Sequence, residues 1–219
     1  MLARGRAILF DVDGVLVRNR AVSAAIEKRV VNYVHTRANV PLDCASRVNR
    51  ELYSAYGHTH TGLKAAYRIK DTIHDFNTFV YDDKTILECY RELVSSSEAC
   101  DGARALFTEL RGAPVFLFTN APDVWADAVV QALGLNIRME RRLTSSSFGL
   151  KPDDATYARV AAYAKADAGV ETLVFVDDQL RNLVPVLNMP DWQPVLYAPD
   201  SPELHIGRAK VVNTLAALT

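Results

Sequence analysis

The sequence predicts an α/β fold in which a parallel sheet is covered by helices and interrupted by a helical insertion. Three observations carry this. Short apolar runs at Ala7–Phe10, Pro114–Phe118 and Leu173–Val176 have the length and bounds of buried strands. From Asp101 onward, helical periodicity alternates with such runs, the pattern of a parallel sheet. Between Val17 and Ala99 the periodicity is helical throughout, with no convincing strand. The predicted division is therefore a core of residues 1–17 and 100–219 and a helical cap over 18–99.

Ala7–Phe10 runs into Asp11-Val12-Asp13-Gly14-Val15. If the extended geometry lasts that far, alternation puts Asp11 and Asp13 on one face, and Gly14 then lets the chain turn. An ordinary Asp-Gly hairpin turn is the plain alternative. Val22, Ile26, Val30, Tyr33 and Val34 recur at helical spacing until Asn39-Val40-Pro41 breaks the pattern. A second helix is expected over Leu42–Tyr56, with Gly57 as its C′ residue. Gly57–Leu63 reads as a polar loop carrying His58 and His60. Helical segments are expected near Leu63–Arg68, Asp71–Tyr81 and Lys84–Ser95.

In the second half, a helix over Gly102–Arg111 precedes the strand that ends at Thr119-Asn120. Asp123–Leu133 is helical and closed by Gly134, and a weaker strand is placed near Ile137–Met139. Asp153–Asp167 is an alanine-rich helix with Pro152 suited to its first turn. Leu173–Val176 ends in Asp177-Asp178. Val195–Tyr197 is read as the last strand and Val211–Leu218 as a terminal helix.

The 219 residues carry a formal net charge of -1, so neither a nucleic-acid polymer nor an anionic membrane is an expected partner. No stretch reaches the roughly 18 apolar residues of a membrane span, and Asp11 interrupts the first apolar run too early for a signal peptide. Cys44, Cys89 and Cys100 lack metal-ligand spacing and read as reduced thiols of a cytoplasmic protein. Monomer and homodimer are equally compatible with the sequence.

Each strong strand ends in polar residues, and ligands of open α/β sheets bind at that carboxyl edge. Clustered carboxylates repel one another unless a cation compensates them, and Mg2+ suits carboxylate oxygens and a phosphate. Lys151 and the Thr119-Asn120 pair add donors for a phosphoryl group. The combination points to phosphoryl transfer, without a Walker-type loop for a nucleoside triphosphate.

Asp11-x-Asp13-Gly14-Val15, Thr119-Asn120, Lys151-Pro152 and Asp177-Asp178 resemble, in order, the four motifs of the haloacid dehalogenase (HAD) superfamily. The resemblance implies a Rossmann-like three-layer core with an inserted α-helical cap that closes over a small phosphomonoester. It implies Asp11 as nucleophile, forming an aspartyl-phosphate, and Asp13 as general acid and then base. Thr119, Asn120 and Lys151 would bind the phosphoryl group, Lys151 also balancing the charge of Asp11. Asp11, the carbonyl of Asp13, Asp178 and Asp177 would hold Mg2+. The superfamily's dehalogenases lack the second acid, so Asp13 favours a phosphatase.

Within the cap, Leu52-Tyr53-x-x-Tyr56-Gly57 followed by Gly62-Leu63 is similar to the fungal-type pyrimidine 5′-nucleotidases, as is Leu117–Ala121. That implies a nucleoside 5′-monophosphate substrate; a sugar phosphate, a phosphomutase reaction and a non-catalytic interaction protein are the alternatives. His58 and His60 are either substrate contacts or solvated loop residues. Tyr53, Tyr56, Tyr67, Phe79 and Tyr81 either stack a base or, more often for such residues, fill a helical core.

Overall fold

The computed structural model describes residues 5–96, 98–110, 112–202 and 205–218, side chains at 98–101 excepted. In chain order the elements are β1 (Arg6–Phe10), α1 (Arg20–Ala38), α2 (Leu42–Tyr56), α3 (Thr59–Tyr67), α4 (Ile73–Val80) and α5 (Asp83–Ser95). Then come α6 (Glu98–Glu109), β2 (Val115–Phe118), α7 (Asp123–Leu133), β3 (Arg142–Leu143), α8 (Asp154–Ala168) and β4 (Thr172–Asp177). The chain closes with α9 (Leu180–Leu183), β5 (Trp192–Tyr197), β6 (His205–Ile206) and β7 (Ala209–Val212). Two compact units result: Met1–Arg18 with Leu93–Thr219, and Asn19–Glu92.

The first unit is an α/β sheet of seven strands in the order β3-β2-β1-β4-β5-β7-β6. All neighbours are parallel except β6 and β7. β1 lies between β2 and β4, with Phe10 level with Leu117 on one side and Val176 on the other. Apolar residues occupy both faces of β1, β2 and β4, which is why these strands read as unbroken apolar runs. Leu9, Phe116, Phe118, Phe175, Tyr157 and Trp192 belong to one core beneath α8, with rings of Phe118, Tyr157 and Phe175 in contact.

Two sequence expectations in this unit are corrected. The weak strand near Ile137–Met139 is instead β3, reached through a 3-10 turn at Met139–Arg141. Arg142 is held by the Ile137 carbonyl and Asp127, which sets Leu143 beside Phe118. The terminal helix over Val211–Leu218 is instead β7 followed by a 3-10 turn at Leu215–Leu218. Val211 and Val212 pair with Leu196 and Tyr197, so cross-strand packing of β-branched residues outweighs helical spacing.

The second unit is helical. Asn19 caps α1 by accepting hydrogen bonds from the backbone of Ala21 and Val22, and Thr72 and Asp75 form a reciprocal capping box on α4. Tyr33, Val34, Val48, Leu52, Leu63, Phe76 and Val80 build its core, with the Tyr33 ring edge-on to Phe76 and Phe79. The polar loop expected at Gly57–Leu63 is corrected to the start of α3. Gly62 sits there because a Cβ would come within 2.9 Å of Leu52 and Tyr56 on α2, so the glycine permits close helix packing. Of the five aromatics read as either base-stacking or core-filling, Phe79 and Tyr81 pack against this core, whereas Tyr53, Tyr56 and Tyr67 are each about 40% exposed.

Cys44 and Cys89 are not disulfide-bonded; the side chain of Cys100 lies outside the described residues. Among the described residues, no helix is long and apolar enough to cross a membrane.

Candidate active site

β1 stops at Phe10, and the chain then turns tightly: Leu16 and Val17 donate to the Val12 carbonyl, and Gly14 donates to Val17. A turn, and not continued strand alternation, therefore sets the two acids of this segment. Asp11, still tied to β4 through its N–H to Val176, meets Lys151; Asp13 turns to Trp125 on α7.

Lys151 is 1% exposed and its ammonium is saturated. Nζ donates to the Phe118 carbonyl at 2.9 Å and to Asp177 at 2.6 Å, and lies 3.0 Å from Asp11. Burial alone would lower its pKa, but Asp11 and Asp177 outweigh burial and raise it, so the cation is permanent. Its backbone is clasped by Asn120, which accepts from the Lys151 N–H at 2.7 Å and donates to the Lys151 carbonyl at 3.0 Å. The Asn120 side chain is thus engaged with the backbone of Lys151. Thr119 is buried; its hydroxyl accepts from the Ala121 N–H and keeps its own proton for donation.

The acid pair at the end of β4 divides its work. Asp177 is fully buried and both its oxygens are committed: Oδ1 accepts from the Gln179 N–H and from Asn182, Oδ2 from Lys151 and Asn182. Asp178 accepts from Gln179 at Oδ2, while its Oδ1 is buried without a partner. A Cβ on Gly14 would fall 2.4 Å from the Asp178 carboxyl, and Gly14 has φ +92°. The turn after β1 therefore approaches Asp178 as closely as only glycine allows.

One oxygen each from Asp11, Asp177 and Asp178 lie within 4.8 Å of one another. Burial, then Asp177, Asp178 and Asp13, push Asp11 well above the usual carboxylate range against the pull of Lys151. Burial and then Asp177 likewise raise Asp178. One lysine does not neutralise this group, and Oδ1 of Asp178 is buried without a partner. The donor set fits a hard divalent cation. Asp11 and Asp178 have oxygens to offer; Asp177, with its lone pairs engaged, is placed to hold Lys151.

Asp13 is half-buried and accepts the Trp125 indole N–H at both oxygens, 3.0 and 3.2 Å. Burial raises it to about 6, with the indole pulling the other way. A carboxyl poised there holds or releases a proton near neutrality. Trp125, Asn182 and Gln179 are site residues the sequence reading missed. Trp125 sits in an apolar helical run where a tryptophan reads as core.

His58 and His60 lie in the helical unit. His58 caps α3, its Nδ1 accepting the His60 N–H, and its ring packs on Phe76. His60 is buried with Nε2 against the Asp71 carbonyl. Burial, and then the neighbouring His60, lower His58 to about 3, so it stays neutral. These bonds give both rings a capping and packing role, not that of solvated loop residues. A cavity of about 680 Å3 lined by Arg104, Phe107, Val115 and Leu135 opens where β2 begins, at the edge away from Thr119, and among the described residues its lining holds no carboxylate.

The model of one family, the haloacid dehalogenase-like hydrolases, matches residues 6–185. No curated protein matches the chain. Among solved structures, the HAD-hydrolase YfnB from Bacillus subtilis, bound to magnesium, has 19% identity and a TM-score of 0.58 over 99% of this chain and 97% of that one. The HAD phosphatase from Thermococcus onnurineus has 14% identity and a TM-score of 0.57 over 97% and 95%. A HAD family hydrolase from Deinococcus radiodurans R1, with bound phosphate and sodium, has 19% identity and a TM-score of 0.52 over 97% and 92%. At these identities the likeness is one of fold.

Proposed function

We propose that this chain, which belongs to the haloacid dehalogenase-like hydrolases, is a Mg2+-dependent phosphomonoester hydrolase working through a phosphoaspartate on Asp11. The carrying observation is the division between two neighbouring acids. Asp11 faces a permanent cation, whereas Asp13 is held apart on an indole N–H with its pKa near neutrality. A dehalogenase needs only the first; a phosphatase needs both a nucleophile and a proton carrier.

Asp11 attacks phosphorus, the ester P–O bond breaks, and Asp13 delivers its proton to the departing oxygen. Asp13, now a carboxylate, takes a proton from the water that attacks the phosphoaspartate. The bond between phosphorus and Asp11 breaks, inorganic phosphate leaves, and both acids return to their starting states. Lys151 holds Asp11 in place and balances charge on the transferred group. Thr119 donates its hydroxyl to a phosphoryl oxygen. Mg2+ on Asp11, Asp178 and the Asp13 carbonyl would supply further charge neutralisation.

For the substrate, the Leu52–Leu63 phrase and Leu117–Ala121 favour a pyrimidine nucleoside 5′-monophosphate over a sugar phosphate. Cys44 and Cys89, as thiols outside any disulfide, favour the cytoplasm as its place of work. The test is phosphate release with Mg2+ over a panel of nucleoside monophosphates and sugar phosphates. Preference for UMP or CMP supports the full reading. Turnover of sugar phosphates alone keeps the chemistry and discards the nucleotidase. Silence across the panel from folded, Mg2+-loaded protein favours the non-catalytic alternative.

A further inference from the structure

The Asp13 carboxyl has one unusual neighbour. Among the described residues, the hydrogen bonds it receives from side chains come from Trp125, at 3.0 and 3.2 Å to its two oxygens. The indole is 0% exposed, so its position is fixed by packing on every side. It is also fixed along the chain. Trp125 lies in the first turn of α7 with its N–H on the Pro122 carbonyl, and Asp123 at the helix start accepts from the buried Thr144 hydroxyl. The same short connection follows directly on Thr119 and Asn120.

We propose that Trp125 is a positioning residue for phosphoester cleavage, its indole N–H aiming the Asp13 carboxyl at the leaving oxygen in both halves of the proton cycle. The inference rests on the phosphatase reading above and adds to it the group that steers its proton carrier.

The chemistry of the indole suits the task. It is a donor only, with no lone pair in the ring plane to take the Asp13 proton. A protonated Asp13 accepts the N–H at its carbonyl oxygen, which leaves its hydroxyl to donate to the departing oxygen. An ionised Asp13 shares the N–H between both oxygens and keeps outward lone pairs for the attacking water. No side-chain rotation is required between the two states. A carboxyl on a single-bonded side chain without such a donor rotates among several wells, and a mis-aimed acid protonates poorly.

The distinguishing readout is leaving-group dependence. An alkyl phosphate needs its departing oxygen protonated, whereas p-nitrophenyl phosphate leaves as a stable anion. In Trp125→Phe, kcat for alkyl and nucleoside phosphates should fall about ten- to a hundredfold, part of the range a general acid supplies. Its kcat for p-nitrophenyl phosphate should stay within about twofold of wild type, and KM for both should hold. In an Asp13→Asn background the same change should add nothing, because the group it steers is already gone. Should the phenylalanine variant fail to fold, benzothienylalanine at position 125 keeps the shape and removes only the N–H.

Equal loss on both kinds of ester would make Trp125 a packing residue and overturn the proposal, as would no loss on either. Additive losses in the Asp13→Asn background would overturn it too. If wild type hydrolyses neither ester, the phosphatase reading fails first and the proposal falls with it. An active wild type with a flat leaving-group response removes the proposal alone.

Discussion

Gly14→Ala separates the site from the fold more cleanly than any charge change. Two penalties can be worked out. The backbone at φ +92° is one that alanine adopts at a cost of about 1–2 kcal/mol. The new Cβ would lie 2.4 Å from Cγ and Oδ2 of Asp178, where ordinary contact begins at 3.4 Å, so the carboxyl must retreat by 3.4 − 2.4 = 1.0 Å. The first penalty is small against the stability of a domain this size, about 5–15 kcal/mol, so the variant folds. The second moves a proposed cation ligand, and a displacement of about 1 Å at a reacting centre lowers rate about a hundredfold. Urea unfolding should show a loss of about 1–2 kcal/mol, titration calorimetry a weakened Mg2+ affinity, and phosphate release a drop of about a hundredfold. A variant with wild-type Mg2+ affinity and turnover would refute the placement of Asp178 in the cation site.

Asp11→Asn removes the proposed nucleophile with little change of volume; it should abolish phosphate release while leaving the unfolding curve close to wild type, and residual turnover near wild type would rule out the covalent route. Lys151→Met strands Asp11 and Asp177 without their buried cation, a loss of about 3–5 kcal/mol in urea. Because Asp11, already raised by burial, would lose the lysine that pulls it down, it would bind its proton more tightly folded than unfolded, and the variant's deficit should widen as pH rises above about 4; a pH-independent deficit would contradict this. His58 is lowered to about 3 when folded, so the unfolded chain gains a proton near 6.5 that the folded chain refuses. Stability contributed by neutral His58 is present above pH 6.5 and is lost on acidification, by about 2 kcal/mol between pH 7 and 5. His58→Asn keeps an N-cap acceptor for the His60 N–H and should flatten that slope in urea titrations; an unchanged slope would show that His58 titrates normally.

The parts legible in the sequence are those that local pattern controls. β1, β2 and β4 are buried on both faces, so their apolar runs announce them, and the polar residues at their ends follow from the sheet's carboxyl edge. What the pattern cannot carry is tertiary. β3 spans two residues, too few for any periodicity, and exists because Arg142 is anchored from outside the strand. β7 shares the spacing of a helix and becomes a strand through its pairing with β5. Gly62 looks like a loop residue until the face of α2 it packs on is known. Within the site, Asp11 and Lys151 were legible as types, but the engagement of Asn120 with the Lys151 backbone and of Asp177 with three donors depends on which atoms meet. Trp125 carried no sequence signal: tryptophan in an apolar helix is ordinary, and one N–H decides its role.

The central place of β1 also dictates an order of assembly during synthesis. The helical unit, Asn19–Glu92, is continuous in sequence and can bury its core as soon as it emerges. β1 is made before it but has neighbours only at Val115–Phe118 and Thr172–Asp177. The strand that delivers Asp11 must therefore wait, unpaired on both edges, until most of the chain has been translated. Its apolar run, Ala7–Phe10, is exposed for that interval. A ribosome that pauses before residue 172 would leave this strand without its longer partner, which makes the segment carrying Asp11 the point where folding on the ribosome is most exposed to chaperones and to aggregation.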